Sequence, residues 1–179
     1  MKRLYLPIRY VFLILLPLCA ALAQQAESGT DLSFDQLAAR AGIIFSGTVQ
    51  KVDSNDGSVI HITFTVDEGI RSVFSGQVIT LNEWRGSATA TPRYKAGEKV
   101  LIFFHALSQN GLTSPVGGNA GVIRFVDAET MQLTIEQALA LKRSTRLRNA
   151  MHGADTAASG SKVSAAEFVR ALRLVTSSQ

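Results

Sequence analysis

Two alternating stretches constrain this chain most. Ile43, Phe45, Gly47 and Val49 alternate with Ser46, Thr48 and Gln50, and then Ile60, Ile62, Phe64 and Val66 alternate with His61, Thr63, Thr65 and Asp67. A period of two belongs to a strand, because successive side chains leave it on opposite faces; a helix would scatter the same apolar residues around its circumference. The turn-forming Asp53-Ser54-Asn55-Asp56-Gly57 stands between the stretches. A hairpin is therefore expected, with Gly47 at a bend and Gly57 in the turn.

Further elements follow from the same logic. Residues 78–84 read as a third strand, and the unbroken run Val100-Leu101-Ile102-Phe103-Phe104 reads as a strand covered on both faces, at the centre of the core. Between them, 85–98 is rich in Gly, Ser, Thr and Ala and lacks periodicity, as expected of a long surface loop. A second glycine-rich loop spans 111–121, a fifth strand is expected at 120–126, and a short sixth at 131–135. Before the strands, Ser33-Phe34-Asp35-Gln36 is a capping box that opens a helix of about two turns, ended by Gly42. After them, Ile135, Ala138, Leu139, Leu141 and Leu147 mark a helix whose basic second half suits a helix C-terminus. A linker composition at 153–162 precedes a second amphipathic helix from Ser164, capped by Glu167 and burying Phe168, Ala171, Leu172 and Val175. The fold class is thus mainly β (α+β), with five to six strands, a short N-terminal helix and two C-terminal helices. A β-domain over 31–133 carries a helical appendage over 134–179.

The chain opens with Lys2, Arg3 and Arg9, an apolar run at 11–22 and the small-residue site Ala21-Leu22-Ala23. This is the pattern of a secretory signal peptide cleaved after Ala23, with 24–30 as a linker, and it predicts a secreted or periplasmic protein. The run of about 12 residues, broken by Pro17, falls short of the ~20 that a spanning helix needs, so no permanent membrane anchor is expected after cleavage. Cys19 follows the bulky Leu18, which argues against lipid attachment there. Cleavage removes the only cysteine, and with it disulfide and thiol chemistry. It also removes most of the basicity: residues 24–179 carry 15 basic and 14 acidic side chains, distributed as −3 over 24–133 and +4 over 134–179. Electrostatic contact is therefore expected through Lys142, Arg143, Arg146 and Arg148.

Three stretches carry a resemblance to a known family. They are Ala41-Gly42-Ile43-Ile44-Phe45-Ser46-Gly47-Thr48-Val49, Ile62-Thr63-Phe64-Thr65-Val66-Asp67-Glu68 and Tyr94-Lys95-Ala96-Gly97-Glu98-Lys99-Val100-Leu101-Ile102-Phe103-Phe104. In this order they resemble netrin-like modules and tissue inhibitors of metalloproteinases, as well as secreted bacterial proteins of similar layout. The resemblance implies an OB-like Greek-key barrel. The inhibitors act through an N-terminal cysteine and its disulfides, which residues 24–179 lack.

No assembled chemistry is visible. His61, His105 and His152 fit no zinc spacing, and 53–57 lacks one residue of a calcium loop, so no metal or cofactor is expected. GxSxG is absent, and the Gly117-Gly118-Asn119-Ala120-Gly121 stretch leads into a strand where a phosphate loop would lead into a helix. An acidic barrel without interleaved basic and aromatic residues disfavours nucleic acid. Trp84 and Arg85 open the long loop as an aromatic–guanidinium pair; Trp84 either anchors a ligand or closes the barrel end. The expected function is a non-catalytic extracytoplasmic binding module for a protein or envelope component, with its site on the 85–98 and 111–121 loops: Trp84, Arg85, Arg93, Tyr94 and Asn119. The alternative is a small secreted hydrolase or ligand-processing enzyme that combines His105 with Glu83 and Glu98. A third reading, helices docking a partner, requires Phe168 and Leu172 to be exposed.

Overall fold

In the computed structural model, which describes residues 32–54, 58–84, 93–151 and 162–177, the run at 100–104 lies in β4 (Lys99–Phe104), buried from Val100 onward. Its two faces enter different cores. Val100, Ile102 and Phe104 join Ile43, Phe45, Val49, Ile62, Phe64, Val66 and Leu81, whereas Leu101 and Phe103 join Ile44, Ile123 and Met131 beneath a layer of helices. A strand covered twice has no use for polar residues at every second position, which is why its alternation vanishes.

Around β4 the chain builds one curled, half-barrel sheet from β1 (Ile43–Asp53), β2 (Val59–Arg71), β3 (Val78–Trp84), β5 (Leu112–Thr113), β6 (Val122–Phe125), β7 (Thr130–Gln132) and β8 (Lys162–Ser164). The order is β5-β3-β2-β1-β4-β6-β7-β8, with every pair antiparallel except β3–β5. The curl begins in β1, whose pairing with β2 shifts register three times, once between Ser46 and Gly47. At Gly47 the backbones approach so closely that a Cβ would stand 2.5 Å from the Thr65 carbonyl oxygen. Inside the curl Phe45 meets Phe64 edge to face, with centroids 5.2 Å apart, and Phe104 stacks on Phe45 at 6.3 Å. The segment 112–116 spans the open side. It pairs with β3 through Leu112 and Thr113, then bridges β4 through Pro115 and Phe104, and the Val116 amide donates to the Phe103 carbonyl at 2.8 Å.

The helices are α1 (Phe34–Arg40), α2 (Ile135–Arg143), α3 (Thr145–Ala150) and α4 (Ala165–Ser177). Both bonds of the Ser33–Gln36 capping box form at α1. Phe34 lies 6.0 Å from Phe103 and 5.1 Å from Phe168, so α1 is the wedge between sheet and α4. Phe168 and Leu172 are fully buried, which removes the premise of the docking-helix reading.

Three expectations are corrected. Among the described residues, eight strands stand where five to six were expected: β5 lies inside the supposed 111–121 loop, and β8 is only three residues with one buried side chain, Val163, too short to show a period. The strand expected at 120–126 begins only at Val122, after a 3-10 turn at Gly118–Gly121. Among the described residues, three C-terminal helices stand where two were expected, because the helix expected to run from 134 past 147 breaks at Ser144. That buried hydroxyl accepts from the Phe34 amide and donates to the Ala140 carbonyl, both at 2.7 Å. Asp35 then caps the new start, accepting from the amides of Arg146 and Leu147 at 3.0 and 3.1 Å. The export segment 1–23, the linker 24–30, the turn at 55–57 and nearly all of the 153–162 linker lie outside the described residues.

Replacing Gly47 with Val should destabilise the fold by about 1–3 kcal/mol, since the clash is with backbone that cannot step aside. Phe168→Ala should cost about 3–5 kcal/mol through the cavity left between α1 and α4. Urea unfolding followed by circular dichroism measures both.

Candidate functional site at the rim of the half-barrel

At its C-terminal end β3 alternates, with Leu81 and Glu83 buried and Trp84 turned outward. Glu83 is only 5% exposed, and a carboxylate so placed must find donors. The Arg93 guanidinium donates to its Oε1 and forms an ion pair with it, while the Tyr94 hydroxyl donates to Oε2 at 3.0 Å. The Tyr94 ring packs edge to face on Phe64 at 5.9 Å, so the same residue belongs to the core and to the rim.

The second loop arrives from the opposite side. Thr113 pairs with Glu83 across the β3–β5 ladder, and Arg93 Nε donates to Asn119 Oδ1 at 3.2 Å. Asn119 sits in the 3-10 turn that follows Gly117, whose φ of 66° favours glycine. That turn is gripped from below by Gln137. Its Nε2 donates to the carbonyls of Asn119, Ala120 and Val122 at 3.3, 3.2 and 2.9 Å, and its Oε1 accepts from the Thr134 amide at 3.0 Å. Arg124 completes the frame, donating to the Arg93 carbonyl at 2.8 Å and pairing with Glu98 at 2.6 Å.

Burial pushes the Glu83 carboxyl above the ordinary value of 4.5, opposed by the Arg93 charge and by the hydrogen bonds from Tyr94 and Arg93. Burial and the neighbouring Glu83 charge push Tyr94 well above the ordinary tyrosine range, so its hydroxyl stays a neutral donor. The arrangement is a hydrogen-bonded polar rim in which Glu83, Arg93, Tyr94 and Asn119 hold one another. Arg93 keeps about a quarter of its side chain exposed, and Asn119 is exposed.

Of the residues singled out in the sequence, Arg93, Tyr94 and Asn119 come together around Glu83. Trp84 follows Glu83 directly and is 64% exposed, so it does not close the barrel end. Arg85 and the loop to residue 92 lie outside the described residues. Lys142, Arg143, Arg146 and Arg148 are exposed on α2 and α3, apart from this cluster. His105 is exposed after β4; its amide donates to the Ser114 carbonyl, and among the described residues no hydrogen bond joins its ring to a carboxylate. His61 Nδ1 lies 2.7 Å from Asn82 Oδ1, and His152 is outside the described residues. Among the described residues no group of three His, Cys, Asp or Glu side chains could hold a metal ion, and no helix is long and apolar enough to cross a membrane. Sequence reasoning missed Arg124 and Gln137. The second had a readable sign, since Thr134 and Gln137 have capping-box spacing.

Compared with known protein families and with curated proteins, the chain matches none.

The raised Glu83 carboxyl makes the folded state hold a proton that the unfolded chain releases near pH 4.5, so this group's contribution to stability falls as the pH rises above 4.5 towards its folded value. Chemical denaturation of the wild type and Glu83→Gln from pH 4 to 8 should show that decline in the difference between them. Tyr94→Phe should cost about 1–3 kcal/mol at neutral pH, by leaving a buried acceptor one donor short.

Proposed function

We propose that this chain is a non-catalytic extracytoplasmic binding module whose site is the rim where the 85–98 and 111–121 loops meet. The observation that carries the reading is the Arg93–Asn119 hydrogen bond, which ties one loop to the other while Arg93 and Tyr94 are anchored on Glu83. A pre-ordered rim loses little freedom when a ligand arrives, and it stands beside an exposed tryptophan, a residue type that dominates binding energetics. The finer fold reading, an OB-like Greek-key barrel of the netrin-like kind, is supported by the curled sheet and by the 112–116 segment that spans its open side; OB-like barrels bind through one strand face and the loops beside it. The leader-like N-terminus supports export, and hence a protein or envelope component as the partner, with no cofactor and no nucleic acid.

The hydrolase alternative would need Glu83 or Glu98 to serve His105. Both carboxylates are already engaged, by Arg93 and Tyr94 in one case and Arg124 in the other.

Pull-downs from envelope extract with residues 24–179 and with the Trp84→Ala/Asn119→Ala variant, read by quantitative mass spectrometry, test the reading. A partner captured by the wild type should drop at least tenfold with the variant while circular dichroism stays unchanged. Equal capture by both would overturn the assignment to this rim.

A further inference from the structure

Among the described residues, α2 carries an uncovered face. On α2 the residues Gln137, Ala140 and Leu141 are buried, while Ile135 is 77% exposed and Leu139 47% exposed. At 100° per residue, Ile135, Glu136, Leu139, Lys142 and Arg143 fall within about 120° of arc. Two large apolar side chains and two cations thus share a single stripe. Arg148, exposed on α3, stays beside the stripe, its guanidinium donating to the Lys142 carbonyl at 3.2 Å, whereas that of Arg146 donates to the Val175 carbonyl at 3.4 Å, towards α4. Glu136 is the only acid on the stripe, and α1 contributes Asp35, whose oxygens are taken up by the Arg146 and Leu147 amides.

We propose that this stripe of α2, continued by α3, docks the protein onto an anionic phospholipid surface, with Ile135 and Leu139 entering the headgroup layer and Lys142, Arg143 and Arg148 facing the lipid phosphates. Charge complementarity selects this occupant. Residues 134–179 carry a net +4 against −3 for 24–133, so an anionic surface attracts the helical side and repels the rest. Exposed apolar residues flanked by cations on one helical face suit an interface that is apolar below and anionic above. The buried face of α2 is pinned through Gln137 and the start of α3 through Asp35, so the stripe is presented without unfolding. This inference is independent of the rim site.

The test is co-sedimentation of residues 24–179, which contain every described element, with vesicles of phosphatidylcholine alone or with 30% phosphatidylglycerol. Binding should require the anionic lipid and weaken at least tenfold between 50 and 500 mM salt. Lys142→Glu/Arg143→Glu should lower the partition coefficient at least tenfold, and Ile135→Ser/Leu139→Ser severalfold with the salt dependence retained. All four positions are exposed, so the thermal melts should match the wild type; for a variant whose melt differs, the salt and lipid dependence of the wild type decides. Equal binding to both vesicle types, anionic binding unchanged in correctly folded variants, or retention on a soluble polyanion such as heparin without vesicle binding would each overturn the proposal.

Discussion

Everything in this structure depends on β4 being buried on both faces. A strand between two apolar layers exposes apolar side chains to water if either layer leaves, at a cost in free energy. Val100, Ile102 and Phe104 face the inside of the curl, and Leu101 and Phe103 face the helices, so the half-barrel and the helical layer share one wall. Phe34 sits against Phe103 and Phe168 at once, which makes α1 the element that joins the start of the chain to its last helix. The helical layer therefore completes a core that the sheet alone would leave open to water.

Apolar burial sets the layers, but it does not fix their angles. That is done by a few polar groups, of which Ser144 and Gln137 are buried and must be satisfied in one arrangement. Arg71 donates to the Ala38 and Ala41 carbonyls at 2.5 and 2.8 Å and so seats the end of α1 against β2. Ser144 and Asp35 tie the α2–α3 corner to α1. Gln137 ties α2 to the turn that presents Asn119, and Asn119 holds Arg93 over Glu83. The rim is thus ordered from the helical layer upward, and a change beneath α2 would be felt at the rim without touching it.

How much of this was legible follows from the range of each interaction. The hairpin of β1 and β2, the double coverage of β4 and the capping box at Ser33 rest on local patterns, and they appear where the patterns place them. The break at Ser144 has no local cause: a serine between Arg143 and Thr145 can continue a helix, and the contacts that accompany the break come from α1, where the Phe34 amide donates to Ser144 and Asp35 caps the next turn. The β8 strand exists because Val163 fills a gap beside Met131, which three residues of sequence cannot announce. At the rim, Arg93, Tyr94 and Asn119 stood out as polar and aromatic residues in loops. That Glu83 gathers Arg93 and Tyr94, and Arg93 in turn meets Asn119, depends on contacts across 10 to 26 residues of chain, and no periodicity encodes them.

Native-state hydrogen exchange at increasing urea measures most directly whether the sheet and the helical layer form one unit. The shared wall predicts that amides of β4 and α4 merge into a single opening at the global unfolding free energy. If α4 amides exchanged through a separate opening of much lower energy while β4 stayed protected, the helices would be an appendage to an independently stable half-barrel, and the account would fail.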